Sequence, residues 1–259
     1  MVGLFKRLFS NKKPVVSIGE INPKPKVKRK VVNVSEKQLR VTKVNGKTQF
    51  YSVRLNEHEH LHLSVLGKKF VKENPEVVKF ISESINNNFK NLKYKDNNLS
   101  IQLKKINSTA GLNTEKLLKI DLTFKNTNES KSFFLKVAKA DFLAKNEFLA
   151  NQAFQRFGIN TIKPHFAFTN TKTRKSVIVY DFSGLKTLQE LVNKKRITSS
   201  EIKEIRNKID IIYTEKLLPT YKDDYNKKNI FDFDNNRNIF VKRNKEGVLE
   251  IYFTDLAIS

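Results

Sequence analysis

The chain has 259 residues, 39% hydrophobic and 10% aromatic, which is enough apolar mass for a packed core and excludes wholesale disorder. Lys and Arg number 50 against 26 Asp and Glu, and the net charge of +24 favours an anionic partner: nucleic acid, another polyanion or an acidic membrane face. With no cysteine there are no disulfides, thiolate metal sites or cysteine nucleophiles, and no apolar run reaches the ~18–20 residues that a membrane-spanning helix needs.

Residues 1–40 read as an extended basic tail and linker. In residues 1–13, MVGLFKRLFSNKK, Val2, Phe5 and Phe9 lie near one helical face, with Leu4 and Leu8 beside them and Lys6, Arg7, Lys12 and Lys13 supplying charge. That pattern suits peripheral membrane contact, and equally a tail that binds nothing. No apolar h-region or cleavage site follows, so no secretory signal is read, and the expected location is cytoplasmic or virion-associated. Pro14, Pro23 and Pro25 break regular structure, and PKPKVKRK (23–30) displays its charge along an extended backbone, as a polyanion-binding arm or a solvated linker.

Asn45-Gly46 between two β-rich runs signals a tight hairpin. NEHEHLHL then brings His58, His60 and His62, which share a face on a strand, whereas on a helix His58 and His62 lie one turn apart. Either geometry suits a metal, but no second segment offers a further ligand, and a polar surface stretch is the favoured reading. The helical spacing of Val77, Val78, Phe80, Ile81, Ile85 and Phe89 predicts a helix over 75–92. Alternating segments at 99–106, 116–125 and 131–139, separated by polar turns, predict an antiparallel meander. Ile202, Ile205, Ile209, Ile212 and Tyr213 predict a helix over 199–217, capped by Ser199 or Ser200 and ended by Pro219.

The order of three strands, a helix, two strands and a helical region is that of a kinase N-lobe, and several residues agree. Phe133-Phe134-Leu135-Lys136-Val137-Ala138 resembles the third strand of the aminoglycoside phosphotransferases and related small-molecule and lipopolysaccharide kinase-like families, whose inward lysine meets the nucleotide phosphates. The run 146–154 resembles the following helix, with Glu147 as the partner of Lys136. Phe157 to Pro164 is similar to the family's glycine-ended helix and the approach to its next strand, Ser176 to Phe182 resembles the strand leading to the hinge, and Thr187 to Val192 looks like the short helix after it. Arg237 to Val241 resembles the end of the catalytic loop, and Ile251 to Ile258 the strand and metal-binding aspartate, with a hairpin turning at Gly247 between them.

The resemblance implies an α+β, kinase-like fold: an antiparallel N-lobe with a packed helix over 41–182, and a short, mainly helical C-lobe-like part over 183–259 that runs four residues past Asp255. It implies ATP and Mg as cofactors, Lys136, Glu147 and Gly111 at the nucleotide, and Asn238 and Asp255 at the metal. The position five before Asn238, where the family places its catalytic aspartate, is Phe233, so the base falls to Asp232 or Asp234. The implied function is an ATP-dependent phosphotransferase on an unspecified acceptor, or a degenerate pseudokinase. The alternative is a non-catalytic basic scaffold that binds nucleic acid or a large assembly, such as a phage, virion or ribosome-associated component. No Walker-type loop, serine elbow or RNA-recognition strand signature is present.

Overall fold

The computed structural model describes residues 39–44, 47–90, 93–96, 98–106, 114–181, 185–217 and 235–254. The alternation expected over 99–139 forms β5 (Leu99–Lys105), β6 (Thr114–Phe124) and β7 (Glu129–Ala138), paired in sequence and antiparallel. Leu99, Ile101, Leu103, Leu118, Ile120, Leu122, Phe133, Leu135 and Val137 are all buried on one face. The period of two therefore places the polar residues between them on the other face.

These strands belong to a nine-stranded antiparallel sheet in the order β1-β2-β3-β8-β9-β7-β6-β5-β4. The remaining members are β1 (Arg40–Val44), β2 (Lys47–Arg54), β3 (Glu59–Ser64), β4 (Lys93–Lys95), β8 (Pro164–Asn170) and β9 (Lys175–Asp181). The hairpin at Asn45-Gly46 appears as the pairing of Val44 with Lys47; the two turn residues lie outside the described residues. The N-terminal three strands join the sheet through β3 and β8, with Leu61 opposite Phe168.

Two helices cover the first face. α1 (Val65–Glu73) follows β3 without a loop, capped by Ser64, whose Oγ accepts from the Gly67 N–H at 2.9 Å. α2 (Pro75–Asn86) begins with proline in its first turn, where no amide donor is needed. It is shorter than the helix expected over 75–92. Asn88 and Phe89 adopt positive φ (51° and 57°), so Phe89 reaches the core from the turn after the helix. Phe70 and Val71 of α1 pack with Val77, Val78, Phe80, Ile81 and Ile85 of α2 on the sheet.

One helix, α3 (Leu143–Arg156), covers part of the opposite face, over β8, β9 and β7. Ala144, Phe148 and Leu149 pack against Ala167, Ile178 and Tyr180. Further along α3, Ala150 and Phe154 enter a second core. That core is built from α4 (Leu188–Asn193), α5 (Ser199–Ile211), a π-helical turn (Ile212–Leu217) and a three-stranded sheet of β10 (Lys186–Thr187), β11 (Ile239–Arg243) and β12 (Leu249–Phe253). α3 is thus shared by two cores, and nine of its fourteen residues are buried.

The helix expected over 199–217 is present as α5 and its π-helical continuation. Its cap is Thr198 rather than Ser199 or Ser200: the hydroxyl accepts from the Glu201 N–H at 3.2 Å, and the Glu201 carboxylate accepts from the Thr198 N–H at 2.8 Å. The β11–β12 hairpin turns at Gly247, with φ +81°. The chain is therefore α+β around a large antiparallel sheet, with a smaller sheet among the C-terminal helices. Among the described residues, no helix is long and apolar enough to cross a membrane.

Candidate functional site

On β7, Leu135 and Val137 point into the α1–α2 core, so Lys136 between them faces α3. α3 presents Glu147 to it. The Lys136 Nζ donates to Glu147 Oε2 at 2.8 Å, with the two side chains only 7% and 4% exposed. The Tyr180 hydroxyl, on the neighbouring strand β9, donates to Glu147 Oε1. Asn151, one helical turn beyond Glu147, donates through Nδ2 to the Glu147 carbonyl at 3.0 Å and lies 3.5 Å from the Tyr180 oxygen. Its Oδ1 is buried with no hydrogen-bond partner among the described residues.

A buried ion pair is a poor stabiliser, because desolvating both charges offsets most of their attraction. This pair persists because each carboxylate oxygen has a donor and the helix and strand hold both groups in register. The cost of burial is accepted for an arrangement that keeps a single ammonium group fixed beside the sheet.

Beyond α3 the same sheet face is uncovered. Across β5, β6 and β7, Gln102, Asp121 and Ser132 stand in one row, and Lys104, Lys119 and Phe134 in the next. Asp121 accepts from Lys119 at 2.7 Å, Ser132 at 2.7 Å and Lys104 at 2.9 Å. Burial alone would raise its pKa, but these hydrogen bonds outweigh burial and hold the carboxyl at about 2. Lys136 lies opposite Leu117, at the end of the sheet from which the β5–β6 connection departs. That connection contains Gly111, which lies outside the described residues.

Asn238 lies immediately before β11. Its N–H donates to the Asn235 carbonyl at 2.9 Å, and its own carbonyl accepts from Thr254 N–H at 3.0 Å. This bond sets Asn238 beside the residue that precedes Asp255. The loop after α3 ties the hairpin to the large sheet: Phe253 N–H donates to Asn160, and Ile162 N–H to Phe253, both at 3.0 Å. Asp232, Asp234 and Asp255 lie outside the described residues. The structure therefore brings Lys136 and Glu147 together on the large sheet and sets Asn238 at the foot of the small one.

The histidine cluster resolves into separate environments. His58 sits before β3 with Nδ1 3.3 Å from the Thr171 hydroxyl. His60 and His62 alternate along β3 on the α3 side, with the His62 ring centroid 6.4 Å from that of Phe148. Burial, then the nearby Lys145 and His60 charges, lower the His62 pKa to about 3; burial, then Arg54 and Lys145, also lower that of His60. Among the described residues, no three His, Asp or Glu side chains converge as a metal site.

The sequence reading passed over Tyr180 and Asn151. Asn151 was accessible from its i,i+4 relation to Glu147. Tyr180 was not, because its approach to Glu147 depends on the pairing of β7 with β9. No family model matches this chain, and comparison with curated proteins and with solved structures finds no match in either.

Proposed function

We propose that the chain is a kinase-like nucleotide-binding protein, with MgATP held against the large sheet at Lys136. The observation that carries this reading is the buried Lys136–Glu147 pair at 2.8 Å, formed between a central strand and the helix packed on it. In this reading Glu147, steadied by Tyr180, aims the ammonium at the nucleotide phosphates, and the β5–β6 connection containing Gly111 closes over them. Departure of that connection from the Lys136 end of the sheet supports the assignment. Asn238 and Asp255 hold the magnesium ion. The hydrogen bond from Thr254 to Asn238 supports their pairing, since it brings the two stretches of chain side by side. Asp232 or Asp234 is the base of a phosphotransferase reaction; a chain that binds MgATP without transferring phosphate is the pseudokinase form of the same reading.

Calorimetric titration with MgATP tests it. The wild type binds, and Lys136→Met/Glu147→Leu, which replaces the pair by apolar side chains and keeps the core filled, binds at least about tenfold more weakly, the loss of one charge-assisted contact. No binding by the wild type, or equal binding by a folded double variant, rejects the nucleotide site. The second reading, a basic scaffold for nucleic acid, is favoured by the charge of +24 and is tested by salt dependence.

A further inference from the structure

On the side of α3 away from Lys136's strand, a cleft of about 330 Å³ opens between β2, the start of α1, the last turn of α3 and the approach to β8. We propose that this cleft binds a small phosphomonoester. Its floor carries the N-terminus of α1, where the Val65 and Leu66 N–H groups have no acceptor within the helix, while Gly67 N–H is taken by Ser64. No acidic residue occupies the first turn of α1, and among the described residues no acidic side chain lines the cleft.

A second, independent feature points to a ligand. Gln152 lines the cleft with only 7% of its surface exposed, yet its carboxamide has no hydrogen-bond partner among the described residues. A primary amide enclosed to that degree leaves its hydrogen-bonding capacity for whatever enters the cleft. Cationic groups complete the site. Arg156 Nε donates to Gln49 Oε1 at 2.7 Å, a bond that holds the guanidinium at the wall, and the exposed Lys163 stands at the rim.

These donors converge from different elements: backbone amides, a guanidinium, an ammonium and a carboxamide. A tetrahedral dianion with three terminal oxygens uses that spread better than a planar carboxylate with two. The volume exceeds one phosphate group, and Val65 and Leu66, 53% and 54% exposed, give the remainder of the ligand an apolar lip. The site is separate from Lys136 and does not rest on nucleotide binding there.

Phenyl phosphate is the probe, titrated into the full chain at near-physiological salt and followed by backbone amide resonances and calorimetry. Saturable binding that shifts the Val65 and Leu66 amides is expected, with benzoate binding at least tenfold more weakly. Lys163→Ala, at an exposed position, is expected to weaken binding about tenfold, and Gln152→Leu to abolish it. Lys242→Ala, an exposed lysine on β11, is expected to leave it unchanged. Absence of saturable binding, equal affinity in Lys163→Ala, or equal weakening in Lys242→Ala overturns the site. Benzoate binding as tightly as phenyl phosphate overturns the ligand class.

Discussion

Lys136 and Glu147 illustrate how differently one pair responds to removal of one partner or both. Lys136→Met leaves a carboxylate buried with Tyr180 as its remaining side-chain donor and is expected to cost about 3–5 kcal/mol of stability. Lys136→Met/Glu147→Leu removes both charges and is expected to recover most of that loss in urea unfolding. A double variant no more stable than the single one contradicts the geometry. His62 sets a different expectation. Its pKa is about 3 in the folded chain against an ordinary 6.5, so the unfolded chain takes up a proton first as pH falls. Stability therefore drops from about pH 6.5 toward about pH 3, with a slope on the order of 1 kcal/mol per pH unit. The lowered His60 pKa acts in the same direction. Asp121, held at about 2 against an ordinary 3.8, adds its loss only below that range. His62→Gln is expected to flatten the upper limb of the urea-midpoint profile and leave the lower limb; an unchanged upper limb assigns the proton elsewhere.

At the scale of elements, α1 is held close to the sheet by what it lacks. A Cβ at Gly67 would overlap the His165 carbonyl oxygen on β8, the same oxygen that accepts from the Ser64 hydroxyl. Gly67→Ala raises helix propensity by up to about 1 kcal/mol in isolation, yet is expected to destabilise the chain by a few kcal/mol through overpacking. A thermal midpoint at or above the wild-type value refutes that close approach. This tertiary origin explains why α1 escaped the sequence reading: a nine-residue segment with an interior glycine carries the local signature of a break. β5, β6 and β7 were legible because one face is buried, which imposes strict alternation on Leu118, Ile120 and Leu122. α5 was legible for the same reason at helical period, through Ile205 and Ile209. Phe89 fitted the helical period but lies past the helix, because the period reports burial and two left-handed residues meet that demand from a turn. Of the candidate site, Lys136 and Glu147 could be named from local pattern, whereas Tyr180 required the order of the strands. The cleft at Gln152 was invisible, since its walls come from segments about a hundred residues apart in the chain, as the bond between Arg156 and Gln49 shows.

For the whole molecule, charge is the dominant property. With +24 distributed over 259 residues, binding to an oligonucleotide is expected to weaken steeply with salt, because each phosphate neutralised releases condensed counterions. Removal of residues 1–40, which carry the PKPKVKRK run, is expected to reduce the slope of log K against log salt by several units in fluorescence anisotropy. No binding at low salt excludes the scaffold reading. The pairing of β3 with β8 has a consequence of another kind, in the order in which the chain must fold. Glu59 and Asn170 meet across 111 residues, so the N-terminal hairpin has no neighbour until nearly two thirds of the chain has been synthesised. Until then Leu61 and Leu63 lie on a strand with an open edge, the arrangement through which unfinished chains pair with one another. Such a distant closure makes for slow folding. A fragment ending at Lys163, before β8, is expected to aggregate at concentrations where the full chain refolds, and a monomeric, soluble fragment would show that the hairpin does not wait for its partner.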